Sequence, residues 1–274
     1  KEVGGYLENV DAQDGWDLWY KLYKKVGAMS IDLPIFYYRQ HNESLSTNND
    51  RLLNARVKIF EEIRNKTYNQ SNPTVLAVIP VKESYPNLKE VPYRMINGCS
   101  LLEIAISNAL ESKQINTLVV SSESQNVLDF SKKLEDENKV PSHLRLLRKK
   151  GAYSKYLPIT EFMKSAGDSY INKFRKPPDV LIYLSLHAIN RRKKHIDNAL
   201  NNLIISESET VVSVQEEREP MFNYGKSGLE LINPGRFLNL SFDRERLFRF
   251  NGSIIASKWK NVLDNKLFGV KTSF

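Results

Sequence analysis

From Thr74 onward, short apolar runs alternate with stretches whose apolar residues recur at helical spacing, and this alternation limits the available folds more than any other feature. Val75–Pro80, Thr117–Ser121, Leu144–Leu147, Val180–Leu184 and Val211–Val214 read as strands. Leu101–Glu111, Val127–Leu134, Ile159–Phe174 and His195–Ile205 read as helices. Parallel strands need a crossover, usually a helix, so the pattern predicts an α/β unit with a mainly parallel sheet covered on both faces. In such sheets ligands sit beyond the carboxyl ends of the strands. Chemistry is therefore expected in the loops after Pro80, Ser121 and Leu184.

Before Thr74 the pattern differs. Trp16, Leu18, Trp19, Leu22, Tyr23 and Val26 fall at helical spacing behind Asp14, a candidate N-cap. Leu52–Ile63 returns to the same period, while Ala28–Ile31 and Pro34–Arg39 read as strands. The polar stretch Asn65–Pro73 is the best linker. The expected organisation is a small α+β fragment with its linker over residues 1–70, followed by a nucleotide-binding domain over 71–274.

Composition narrows the partners. With 40 Lys plus Arg against 32 Asp plus Glu, the formal net charge of +8 favours anionic ligands such as nucleotides, nucleic acid or acidic sugars. The single cysteine, Cys99, rules out an intrachain disulfide and fits a reducing, cytoplasmic setting. The run Val75–Val81 is far short of the roughly 20 apolar residues that span a bilayer. The opening KEVGGYLENV shows no targeting pattern.

The stretch AVIPVKESYPNLKEVPYRMINGCSLLEIAISNAL resembles the opening of cytidylyltransferases of the CMP-sialic acid (acylneuraminate) synthetase family. In that family the first strand ends Ile-Pro, a basic glycine-rich loop wraps the nucleotide phosphates, and a Gly-Lys-Pro-Leu stretch opens the next helix. Ile79-Pro80 and Gly98–Leu101 stand at the corresponding spacing. TLVVSSES, VLIYLSLHAINRRKKHIDNAL, TVVSVQEE and RFNGSIIA are similar, in order, to later family segments. Arg191 matches the arginine of Gln-Pro-Thr-Ser-Pro-Leu-Arg, and Asn251-Gly252 matches the segment lining the sugar site. The resemblance implies a Rossmann-like, nucleotide-diphospho-sugar transferase-like fold. It further implies CTP or another nucleotide as one substrate, an acidic nonulosonic sugar as the other, Mg²⁺ as cofactor and a homodimer as a candidate assembly.

The same comparison implies site residues. Lys82, Lys89, Arg94, Asn97, Gly98 and Ser121 would face the nucleotide; Arg191, His187, Asn251 and Gly252 would face the sugar; Lys82 and Arg191 would carry the catalytic charge. There are departures. Glu83, Ser84, Tyr85 and Pro86 replace the Gly-Gly-Ser-Lys of the phosphate loop, and Ser185–Ala188 replaces Gln-Pro-Thr-Ser. The Asp-x-Asp that holds Mg²⁺ in the family does not occur before Phe274, which leaves the metal ligands unassigned.

GGYLENVDAQDGWDLWYKL, followed by LPIFYYRQHNESLS, resembles the C-terminal part of an inverting family-2 glycosyltransferase. There Asp14 would be the catalytic base and Arg39-x-His41 a substrate-side or metal-side loop, with the donor-binding half lying upstream.

Each residue also has a structural reading. Asp14 caps a helix, Lys82, Lys89 and Arg94 are solvated loop cations, Asn97-Gly98 is a turn, and Arg191–Lys194 is a charged helix face. Nucleic acid is the weakest partner, because no aromatic residues interleave the basic run. The leading expectation is a cytidylyltransferase making a CMP-sugar, fused to a glycosyltransferase. The alternatives are a catalytically silent nucleotide-sugar-binding module and a glycosyltransferase part.

Overall fold

The computed structural model describes residues 3–8, 10–29, 33, 48–67, 73–148, 158–217, 219–226, 228–232 and 247–274, apart from the side chains of Asp14, Asn49, Lys66 and Thr67. The helices are α1 (Asp14–Val26), α2 (Asn49–Thr67), α3 (Leu101–Leu110), α4 (Gln125–Asp136), α5 (Ile159–Phe174), α6 (Lys193–Ile205) and α7 (Trp259–Leu263). The strands are β1 (Val75–Val81), β2 (Met95–Ile96), β3 (Cys99–Ser100), β4 (Thr117–Ser122), β5 (Leu144–Leu147), β6 (Val180–Leu184), β7 (Thr210–Glu217), β8 (Phe222–Gly225), β9 (Gly228–Leu231), β10 (Leu247–Lys258) and β11 (Thr272–Ser273).

Seven strands form the main sheet in the order β11-β7-β10-β6-β1-β4-β5. β10 alone runs antiparallel, wedged between β6 and β7. Residue alternation explains the two-sided core. Ala77 and Ile79 of β1 pack with Leu102 and Ile106 of α3 and with Ile196 and Leu200 of α6. Leu76 and Val78 turn to the other face and meet Met163 and Ala166 of α5 and Trp259 of α7. Period-two alternation thus feeds both helical layers from one strand. A fully buried Leu or Ile contributes about 1.5–3 kcal/mol in such a core.

Every strand and helix expected after Thr74 forms, most with ends moved by a few residues. β10 was not expected, since Asn251-Gly252 reads as a break in an otherwise apolar run. The strand absorbs that break: its register against β7 shifts between Phe250 and Ile255, and Gly252 takes φ 70° there. The hairpin β8–β9 is also additional.

At the amino end, Gln13 rather than Asp14 occupies the cap position of α1, in a left-handed conformation without a side-chain cap, and Asp14 is the first helical residue. α1 and α2 pack on α6 through Tyr20, Ile59, Phe60, Ile63 and Ile205. Arg64 reinforces the contact by donating to Asn201 Oδ1 at 3.3 Å. The expected strand Pro34–Arg39 and the residue His41 lie outside the described residues, as do half of Ala28–Ile31 and most of the linker. No described helix is long and apolar enough to cross a membrane.

Candidate active site

The carboxyl ends of β1, β4 and β6 open on a cleft of about 940 Å³, where the sheet rule places a ligand. Lys82, Glu83, Tyr85, Arg148, Phe162 and Tyr183 are among its walls. The loop after β1 is closed on itself. Tyr85 N–H donates to Leu88 O at 2.7 Å, Leu88 N–H returns to Tyr85 O at 3.1 Å, and Val91 N–H reaches Glu83 O at 2.9 Å. Glu90 N–H is taken by Ser84 Oγ at 3.1 Å. An anion cradle needs several converging, unoccupied N–H groups, and these four serve the loop instead.

Side chains complete the departure from a phosphate loop. Ser124 Oγ–H donates to Glu83 Oε2 at 2.6 Å and Tyr93 O–H donates to Glu83 Oε1 at 3.0 Å. These bonds, Ser124 foremost, hold the Glu83 carboxyl below the usual carboxylate range, so it carries its charge at neutral pH. The Lys82 ammonium lies 5.4 Å from the Tyr85 ring centroid. Tyr85 in turn pairs through its hydroxyl with His187 Nε2 at 3.0 Å, tying the loop after β1 to the loop after β6. Across the cleft, Arg148 donates to Glu123 Oε1 at 3.3 Å and rests 4.4 Å from the centroid of the Phe162 ring.

A second cavity of about 520 Å³ adjoins the first, and His187 lines both. α6, β7 and β10 form it, with Leu53 and Arg56 of α2 closing one side. Arg191 is 4% exposed. Its Nη1 donates to Ser185 O at 2.7 Å and to Ser253 O at 3.3 Å, while Nε has no hydrogen-bond partner among the described residues. Burial pushes the guanidinium down to about 10, because desolvation disfavours its charged form. Asn251 Oδ1 accepts from Ser213 Oγ at 2.6 Å and from Ser253 N–H at 3.0 Å, which fixes the bend of β10 at the cavity wall.

The structure therefore brings Arg191, His187 and Asn251 to one cavity, and Lys82 and His187 to the other. The remaining expected residues do not line either. Asn97 and Gly98 form the positive-φ turn of the β2–β3 hairpin, at φ 49° and 84°. Lys89 and Arg94 are exposed, and Arg94 Nε donates to Lys89 O at 3.2 Å. Ser121 and Ser122 are both wholly buried in β4, and it is Ser122, not Ser121, that borders the cleft. Gly252 makes the β10 bend without lining the cavity. The Asp14 side chain and Arg39 and His41 lie outside the described residues. Sequence reasoning did not single out Arg56, Arg148 or Phe162. Their place depends on which helix packs where, and nothing local to them announces it.

Mg²⁺ does not fit the described residues. Both cleft glutamates are engaged, Glu83 by hydroxyl donors and Glu123 by Arg148. No group of three or more His, Cys, Asp or Glu among the described residues is arranged for a metal.

A mostly parallel sheet, helices on both faces and strand-tip cavities together define a nucleotidyltransferase-type α/β fold. A solved CMP:2-keto-3-deoxy-manno-octonic acid synthetase complexed with CTP shares it, with a TM-score of 0.52 at 12% identity over 72% of this chain and 78% of that one. The 4-diphosphocytidyl-2C-methyl-D-erythritol synthase of Anaerococcus prevotii DSM 20548 is similar at a TM-score of 0.48 and 11% identity, over 69% of this chain and 71% of that one. At 12% identity the first likeness shows the fold alone, a mostly parallel α/β sheet of the nucleotidyltransferase type. Neither family models nor curated sequences give a match.

Proposed function

We propose that the chain is a cytidylyltransferase that activates an acidic nonulosonic (sialic-type) sugar as its CMP-sugar for surface-glycan synthesis. One observation carries the reading: two adjoining cavities at the strand tips share His187, and the smaller one holds a buried arginine with no acidic partner among the described residues. The nucleotide occupies the larger cleft with its phosphates toward Lys82. The sugar acid occupies the smaller one, its carboxylate on Arg191, where a planar guanidinium grips with two hydrogen bonds.

The reaction is then in-line attack. The anomeric oxygen forms a bond to the α-phosphorus, the bond from that phosphorus to the bridging oxygen breaks, and pyrophosphate leaves with the electron pair. His187, lining both cavities, is placed to take the hydroxyl proton. Mg²⁺ enters this scheme only as the resemblance implies it, and no step is assigned to it.

A specific observation favours a second reading, a silent nucleotide-sugar-binding module. Glu83 and the self-paired loop withdraw both the charge and the N–H groups that a triphosphate needs. Pyrophosphate release separates the two. With CTP, Mg²⁺ and a panel of nonulosonic acids, the enzyme reading expects pyrophosphate and CMP-sugar in equal amounts. Binding of the acids without any pyrophosphate would leave only the module.

A further inference from the structure

The smaller cavity has a lining of one electrical sign. Arg56, Arg191 and two histidines border it, and no Asp or Glu side chain among the described residues does. Neither arginine has an ion-pair partner among the described residues; Arg191 is buried and Arg56 half-buried, and a buried guanidinium is seldom left unpaired. Arg56 does not belong to the sheet domain: α2 carries it, and the packing of Ile59, Phe60 and Ile63 around Ile205 of α6 brings it to the cavity. Among the described residues, the side-chain bond from its guanidinium is a long one, Nε donating to Gln13 Oε1 at 3.3 Å. Burial lowers the Arg56 guanidinium as it does that of Arg191.

We infer that Arg56 joins Arg191 in gripping the carboxylate of a polyhydroxylated acid, so that α2, from outside the sheet domain, completes the sugar site. The inference rests on the assignment of the smaller cavity to the sugar. Two features favour a polyhydroxylated acid over a bare anion. Asn198 Oδ1 is buried at the cavity with no hydrogen-bond partner among the described residues, an acceptor that suits a hydroxyl and repels an oxyanion. Val212 and Ile254 supply an apolar wall for the carbon skeleton of a sugar. Arg56 is thus a specificity-determining residue, selecting acids over neutral sugars.

The test uses the full chain without nucleotide. N-acetylneuraminate, 3-deoxy-manno-octulosonate and the neutral methyl ester of N-acetylneuraminate are titrated by calorimetry into the parent protein, Arg56→Gln and Arg56→Lys. Arg56→Gln is expected to weaken binding of an acid by about tenfold or more, leaving the ester as weakly bound as by the parent. Arg56→Lys keeps the charge and the stem but not the planar fork, and should bind the acid more tightly than Arg56→Gln and more weakly than the parent, which guards against mere unfolding. Equal acid binding by parent and Arg56→Gln, or equal losses for acid and ester, would overturn the inference. Pyrophosphate release distinguishes the two layers. Arg56-dependent acid binding with no CMP-sugar would sink the transferase reading and leave this one standing. A parent that makes CMP-sugar, beside an Arg56→Gln variant with unchanged KM for the acid, would do the reverse.

Discussion

Glu83 sets the main tension in the site. It is charged, held by Ser124 and Tyr93, and stands in the loop that a triphosphate would have to approach. A unit charge a few ångströms from phosphate costs on the order of 1 kcal/mol or more at the effective dielectric of a cleft. Glu83→Gln keeps the size and one acceptor while removing the charge, so it should tighten CTP binding by about tenfold in a fluorescence or calorimetric titration. Unchanged affinity would place the phosphates away from this loop.

His143 tests the residue scale by pH. Its ring is buried, Nδ1–H donates to Pro141 O at 3.0 Å, and Nε2 accepts from Ser131 Oγ–H. Burial lowers its pKa from 6.5, and the folded chain therefore resists protonation that the unfolded chain accepts. Its contribution is whole above pH 6.5 and is lost as pH falls through the lower folded value. Unfolding midpoints between about pH 7 and pH 5 should decline less steeply in His143→Gln than in the parent. Parallel declines would mean that His143 is not the responsible group.

At the scale of elements, the α5–α7 contact depends on one absent methyl group. A Cβ built on Gly167 would stand 2.3 Å from the Trp259 ring, which is 9% exposed and packed in the core of that sheet face. Neither α5 nor the ring can withdraw without opening the layer against β1. Gly167→Ala is expected to destabilise the fold by about 1–3 kcal/mol in urea, despite the better helix propensity of alanine. A neutral or stabilising result would show that the ring moves freely.

The same scale shows what the sequence disclosed. β1, β4 and β6 were legible because buried parallel strands read as continuous apolar runs between polar punctuation. α3 was legible from the helical spacing of apolar residues in Leu101–Glu111, and the structure adds the reciprocal cap formed by Ser100 and Glu103 at its start. β10 was hidden, because a bend at Asn251-Gly252 within a strand looks the same in sequence as a turn between two. Residues on strand tips, Lys82 and His187 among them, could be placed from topology alone. Residues such as Arg56 and Arg148 could not, since helix packing and the course of loops decide their neighbours.

At the scale of the whole molecule, the fold juxtaposes a mixed-charge cleft and a cavity bordered by two arginines and, among the described residues, by no Asp or Glu, with His187 on their common wall. α2 docks on α6 and makes the amino-terminal part of the chain a wall of the second space. In the proposed function this adjacency puts the nucleotide on one side and the acidic sugar on the other, with the reacting atoms meeting beside His187. A crystal structure of the protein with a non-hydrolysable CTP analogue and N-acetylneuraminate tests it most directly. The account predicts the α-phosphorus in the cleft within about 3.5 Å of the anomeric oxygen, and the sugar carboxylate on Arg191. A nucleotide bound elsewhere, or a sugar whose carboxylate points away from Arg191, would contradict it.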